Sequence, residues 1–147
     1  MSEQNKVVMR RIYEEFWNQG DFESLNELVS PNYTLRMQTP PGVPSGREGL
    51  QWTIQAYRAG FPNIHVQVEE QLAEGDRVLT RITIQGTHEG TFMNIPPTYK
   101  DVTITAMVLT RFENGQNIEG RGEIDRLGLM QQLGVVPMPG SAAENDG

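Results

Sequence analysis

The residues best suited to chemistry lie close together near the C-terminal end: Arg121, Glu123 and Asp125, spaced two apart. In an extended strand that spacing puts all three on one face. One reading is a catalytic set, in which the guanidinium lowers the pKa of one acid and orients the other. The commoner use of such alternation is a solvated charged face. Asp125 divides in the same way. A carboxyl group that titrates near working pH can take and return a proton, for roughly 10²–10⁴-fold in rate. Burial among Ile124, Leu127 and Leu129 would raise Asp125 from the ordinary ~3.9. On spacing alone, the favoured role for Asp125 is to cap the helix that follows it.

Other chemistries find little support. The two histidines, His65 and His88, stand far apart and outside any His-x-x-x-His pattern, so no metal site is expected. There is no cysteine, hence no thiolate nucleophile and no disulfide framework. No Gly-rich phosphate loop opens a helix and no Ser elbow is present. The reading implies no cofactor. A net charge of −7 with scattered Lys and Arg argues against nucleic acid or an anionic membrane as partner. The start, Met1-Ser2-Glu3-Gln4-Asn5-Lys6, lacks a basic, then apolar leader, and no stretch nears the ~20 apolar residues of a membrane span. A cytoplasmic protein is expected.

These side chains need elements to hold them. Helical spacing runs from Ser2 to Gln19, with Tyr13, Phe16 and Trp17 as core residues, Tyr13 and Trp17 having an edge free for a pocket. Asp21 is expected to cap a short helix carrying Phe22, Leu25, Leu28 and Val29, stopped by Ser30-Pro31. A strand over 33–38 leads to a proline-rich loop over 39–44 at the rim of a pocket. Ser45 and Glu48 make a capping-box signature for a helix holding Leu50, Ile54, Tyr57 and Phe61 on one side, with Trp52 placed to floor or lid a pocket. From Asn63 the period becomes two. Ile64, Val66 and Val68 alternate with polar residues, leaving His65 on the outer face. Strands over 78–85 and 102–111, and from Gln116 to Asp125, follow, separated by Glu74-Gly75-Asp76 and the hairpin signal Asn114-Gly115. A helix over 126–133 ends the domain, expected to span 1–136, with a flexible acidic tail over 137–147. Helices followed by an antiparallel meander predict an α+β fold, a strongly curved sheet around the first helix with a pocket between them. Phe92, Met107 and other methionines would give that pocket soft apolar walls.

Three stretches resemble one known family: Trp17-Asn18-Gln19-Gly20-Asp21-Phe22, the segment Gly86-Thr87-His88-Glu89-Gly90-Thr91-Phe92-Met93-Asn94-Ile95-Pro96-Pro97-Thr98, and Gly122-Glu123-Ile124-Asp125-Arg126-Leu127-Gly128-Leu129-Met130-Gln131-Gln132-Leu133-Gly134. With Gly46-Arg47-Glu48-Gly49-Leu50 and Phe61-Pro62-Asn63, they resemble the SnoaL-like polyketide (ester) cyclases of the nuclear-transport-factor-2-like, cystatin-like superfamily.

The resemblance implies an α+β cone, often a homodimer or higher homo-oligomer, and a cofactor-free intramolecular aldol closure of an aromatic polyketide ester. It implies Asp125 as the general acid/base, which reverses the capping reading, and His88 in the same pocket. Inward-facing Arg121 and Glu123 then become substrate-binding groups beside Tyr13, Trp17, Trp52, Phe92 and Met107. The sequence departs from the family pattern at several positions. Gly120-Arg121 stands where His-Trp is common, Leu35-Arg36 where Asp-His is common, and Asn94 and Tyr99 where loop glycines are expected. Arg36 therefore joins the substrate-binding set. Two rivals stand beside an apolar-molecule cyclase. One is an epoxide hydrolase with an Asp–Arg–Asp set, of the limonene-epoxide-hydrolase type. The other is a non-catalytic binding or dimerisation module.

Overall fold

The computed structural model describes residues 2–37, 39 and 41–137. Of the expected tail over 137–147, residues 138–147 lie outside them. Helix α1 runs over Ser2–Arg11, and the chain winds on as a π-type helix over Ile12–Asn18. Met9, Ile12, Tyr13 and Phe16 form its buried face. Asn18 ends it by pairing with the backbone of Val66: its Oδ1 accepts from the Val66 N–H at 2.7 Å and its Nδ2 donates to the Val66 carbonyl at 3.0 Å.

The second helix, α2, is only Leu25–Leu28. Asp21 does not cap it; its carboxylate accepts from the Glu23 N–H in a local turn. Val29 is already strand, because β1 spans Val29–Leu35 and takes in Pro31. Proline is tolerated there because β1 is an edge strand. Helix α3 covers Gly46–Gly60, but Ser45 makes no side-chain cap bond, so the expected capping box does not close.

Strands β2 (His65–Glu74), β3 (Arg77–Thr87), β4 (Asp101–Glu113) and β5 (Gln116–Ile124) form the expected antiparallel meander. The sheet order is β1-β5-β4-β3-β2, and β1 lies parallel to β5. The expectation of a wholly antiparallel sheet is therefore corrected. No hairpin links β1 to β5, so loop geometry does not dictate their relative direction. Extra residues at Glu69 in β2 and Ile118 in β5 interrupt the ladders. Such bulges bend and twist strands, and the sheet curls without closing. Its concave face, with Val66, Val78, Ile82, Ile84 and Ile104, packs on α1, and α3 packs on β1. Helix α4 (Arg126–Leu133) closes one end with Leu129 and Leu133, both fully buried.

Candidate active site

Between the helices and the concave sheet lies a cavity of about 730 Å³. That is ample for a drug-sized molecule, since ligand pockets run to roughly 300–1,000 Å³. Its walls are mostly apolar and aromatic. The π-wound segment contributes Tyr13 and Trp17, α3 contributes Trp52 and Tyr57, and the segment between β3 and β4 contributes Phe92. Tyr13, Trp17, Trp52 and Phe92 were expected at the pocket from sequence, and all four line the cavity with Tyr57.

Glycines at two places let side chains come close around this space. Gly20 adopts a left-handed φ of +69°, and the Arg58 side chain crosses where a Cβ would sit. Arg58 donates to the Trp17 carbonyl, holding the end of the π-type helix against α3. On β5, Gly120 and Gly122 have no side chain to project inward. The Tyr33 hydroxyl and the Met37 side chain occupy the room a Cβ would need. The departure at Gly120 thus gives Tyr33 its place in the wall.

Burial pushes the hydroxyls of Tyr13 and Tyr33 well above the usual phenol range. Both stay protonated at neutral pH and are neutral hydrogen-bond donors in an apolar space. Burial also raises Tyr57, while the Arg126 guanidinium beside it pulls the other way.

His88 is fully buried and does not form part of the cavity wall. The Thr98 N–H donates to its Nδ1 at 3.1 Å, so a neutral ring carries its proton on Nε2. The ring packs on Phe61 at 5.4 Å, and Phe61 packs on Phe92 at 5.3 Å. The His88 N–H donates to the Lys100 carbonyl, and the Glu89 and Gly90 N–H groups both donate to the Gly60 carbonyl. His88 therefore fastens the strap from 88 to 100, which carries Phe92. Asn94 and Tyr99, standing where loop glycines were expected, have left-handed φ values of 64° and 59°.

The inward set expected on the last strand is corrected. Ile118 is an extra residue in β5, and beyond it Gly120, Gly122 and Ile124 face the cavity. Arg121 therefore points outward, with 60% of its side chain exposed, and faces Glu119 at 3.7 Å. Arg36 is exposed too and pairs with Glu119 at 3.3 Å. Met107 lies outside for the same alternation, since Ala106 and Val108 line the cavity and Met107 pairs with Glu123 on the outer face. Glu123 belongs to the wall yet is an exposed residue, which places it at the edge. Asp125 is exposed, lies outside the wall and caps α4, its Oδ1 accepting from the Gly128 N–H at 2.8 Å. Its neighbours Ile124 and Arg126 both line the cavity. Among the described residues, no aspartate lines the cavity, so the Asp–Arg–Asp set of the hydrolase reading is not assembled there.

Sequence reasoning missed Tyr33 and Arg126 as wall residues. Tyr33 shares a strand face with Leu35 and Met37, which marked a common environment. Arg126 carried a subtler signal. It is the first residue of α4, and a cation there opposes the helix dipole.

A family model for SnoaL-like polyketide cyclase matches residues 7–133. No curated protein sequence matches the chain significantly. Among solved structures, IdmH of Streptomyces antibioticus, a candidate polyketide cyclase, is 32% identical over 89% of this chain and 99% of its own, with a TM-score of 0.76. A candidate polyketide cyclase of Bacillus cereus is 31% identical over 90% of this chain and 82% of its own, with a TM-score of 0.77. TsrD of Streptomyces laurentii superposes with a TM-score of 0.83 over 92% of this chain and 98% of its own; at 24% identity this likeness concerns the fold.

Proposed function

The chain belongs to the SnoaL-like polyketide cyclase family, and on that premise we propose that it is a cofactor-free cyclase-type enzyme that closes a ring in a carbonyl-bearing, largely apolar molecule. The observation that carries this reading is the placing of protonated phenols, Tyr13 and Tyr33, in the wall of a mostly apolar cavity. An aldol closure generates negative charge on a carbonyl oxygen, and donors fixed in a water-poor site stabilise that charge. Apolar walls also fold the substrate so that its two ends meet, replacing a search with a held geometry.

The acid/base group in this proposal is Asp125. It takes the proton from the carbon beside one carbonyl; the carbanion adds to the second carbonyl, forming the C–C bond; the same carboxyl returns the proton to the new alkoxide. In its favour, Asp125 is flanked by two wall residues, Ile124 and Arg126. The role requires its side chain to turn from the cap toward the cavity. His88 acts indirectly, by holding the strap that carries Phe92.

The test is turnover of an aromatic polyketide ester by the wild type and by Asp125→Asn. Asparagine keeps a capping oxygen but cannot shuttle a proton. A fall of about 10²-fold or more, with unchanged thermal stability, supports the role. Undiminished turnover removes it. A second reading, a binding protein without catalysis, draws on the exposure of Asp125 and its engagement with Gly128. It predicts that the wild type binds such esters and returns them unchanged.

A further inference from the structure

We propose that the molecule taken into the cavity carries an anionic head group, a carboxylate or the enolate of a β-dicarbonyl, and that Arg126 with Tyr57 is its anchor. The inference deepens the function proposed above by naming the substrate class, and it rests on the cavity being the substrate site.

Arg126 lines a cavity whose walls are mostly apolar. Its Nε is buried, and among the described residues it has no hydrogen-bond partner. No carboxylate there forms an ion pair with Arg126, whereas Arg11, Arg36, Arg81 and Arg121 each face one. A half-buried guanidinium whose Nε is buried without an acceptor is costly, and its position at the start of α4 adds the opposing helix dipole. A cation kept at such a site is compensated when an anion arrives.

The geometry selects the anion. A guanidinium offers parallel N–H donors that match two oxygens in one plane, the pattern of a carboxylate or an ionised β-dicarbonyl. The Tyr57 hydroxyl beside it adds a neutral donor. The remaining walls, including Trp17, Trp52 and Phe92, suit an aromatic body. The ligand is therefore amphiphilic, with an apolar body and a single acidic end. That sharpens the purely apolar substrate expected from sequence.

The probe is a near-isosteric pair, 1-naphthaleneacetate and 1-naphthaleneacetamide, titrated calorimetrically into the full chain at neutral pH. The expected result is that the acid binds roughly tenfold more tightly or better, the worth of a charge-assisted bond. Arg126→Met should remove that preference by weakening the acid alone. Arg126→Lys should keep part of it, which secures the test if the methionine variant does not fold. Equal affinity of the wild type for the two probes, including no binding of either at millimolar concentration, overturns the proposal. So does a folded Arg126→Met variant that keeps the preference. Asp125→Asn should leave the ratio unchanged, which separates this proposal from the catalytic one. A preference for the acid without turnover of esters by the wild type leaves the anchor standing and removes the cyclase reading; the reverse result removes the anchor alone.

Discussion

Across the first turn of α4 the Gly128 N–H donates to Asp125 Oδ1 at 2.8 Å, and a Cβ on residue 128 would run into that carboxylate. The two residues are matched. The acid satisfies one of the free N–H groups at the helix start, and the glycine leaves it room.

Removal of the cap is measurable. Asp125→Ala should cost about 1 kcal/mol and lower Tm by about 3 °C, while Asp125→Asn should change it little. Gly128→Ala should be destabilising as well, because its methyl group displaces the carboxylate. Thermal denaturation of the three variants checks the assignment. An Asp125→Asn variant as unstable as Asp125→Ala would show that the cap is not what the side chain contributes.

The strap between β3 and β4 holds strain that glycine relieves. Tyr99 has φ 59° and is 71% exposed, so its ring recovers little by burial. Left-handed backbone costs an ordinary L-residue about 1–2 kcal/mol. Tyr99→Gly should therefore raise stability by up to about 1 kcal/mol, once the greater freedom of glycine in the unfolded chain is subtracted. Asn94→Gly should gain less, since asparagine tolerates this conformation. Chemical denaturation gives both values, and a loss of stability in Tyr99→Gly would refute the strain.

Gly60 is needed for close approach. A Cβ there would sit 2.7 Å from Phe92 Cβ. Gly60→Ala should cost about 1–3 kcal/mol through overpacking. It should also push Phe92, and the rings packed on it, out of place. Near-ultraviolet circular dichroism should change in this variant beyond what the loss of stability explains, because Phe92 lies 4.8 Å from Tyr57 and Tyr57 5.4 Å from Trp17.

Alkaline pH should unfold the protein through its buried phenols. Tyr13, Tyr33 and Tyr57 are raised above the ordinary value by burial. Above about pH 10 the unfolded chain loses phenol protons that the folded chain retains, so stability falls as pH rises. Below that value the contribution is fully present and flat. Tm measured from pH 8 to 11.5 should drop beyond pH 10, and phenolate absorbance of these three tyrosines should appear together with unfolding. Ionisation of all four tyrosines at ordinary pH without loss of structure would contradict their burial.

Much of the fold was legible because periodicity is a local property. The alternation in β4 puts Ala106 and Val108 on one face and Met107 on the other, and the structure has the first two in the wall and Met107 outside it, against the expectation that Met107 lines the pocket. The helical spacing of Tyr13 and Trp17 located the wall that α1 and its π-type extension supply. The places where glycine was expected, Asn94 and Tyr99, are left-handed in the structure. For the strand and the helix the information lies within a few residues of chain, whereas the two glycine positions were legible from the family resemblance.

The site itself was less legible, because facing inward or outward is decided by distant parts of the chain. Arg121, Glu123 and Asp125 alternate whichever face is buried. The extra residue at Ile118 and the inward approach of Tyr33 from β1 and of Met37 just beyond it settle that Gly120 and Gly122 face the cavity. The parallel pairing of β1 with β5 follows from no local signal, since no turn joins them. Arg126 became visible as a cavity residue only when α4 closed the end of the curled sheet beside Tyr57. Family, order of elements and the apolar, aromatic character of the walls are legible along the chain. The tertiary structure decided which polar groups share the enclosed space, because that depends on a bulge, a strand pairing and a helix seat set by contacts across the whole chain.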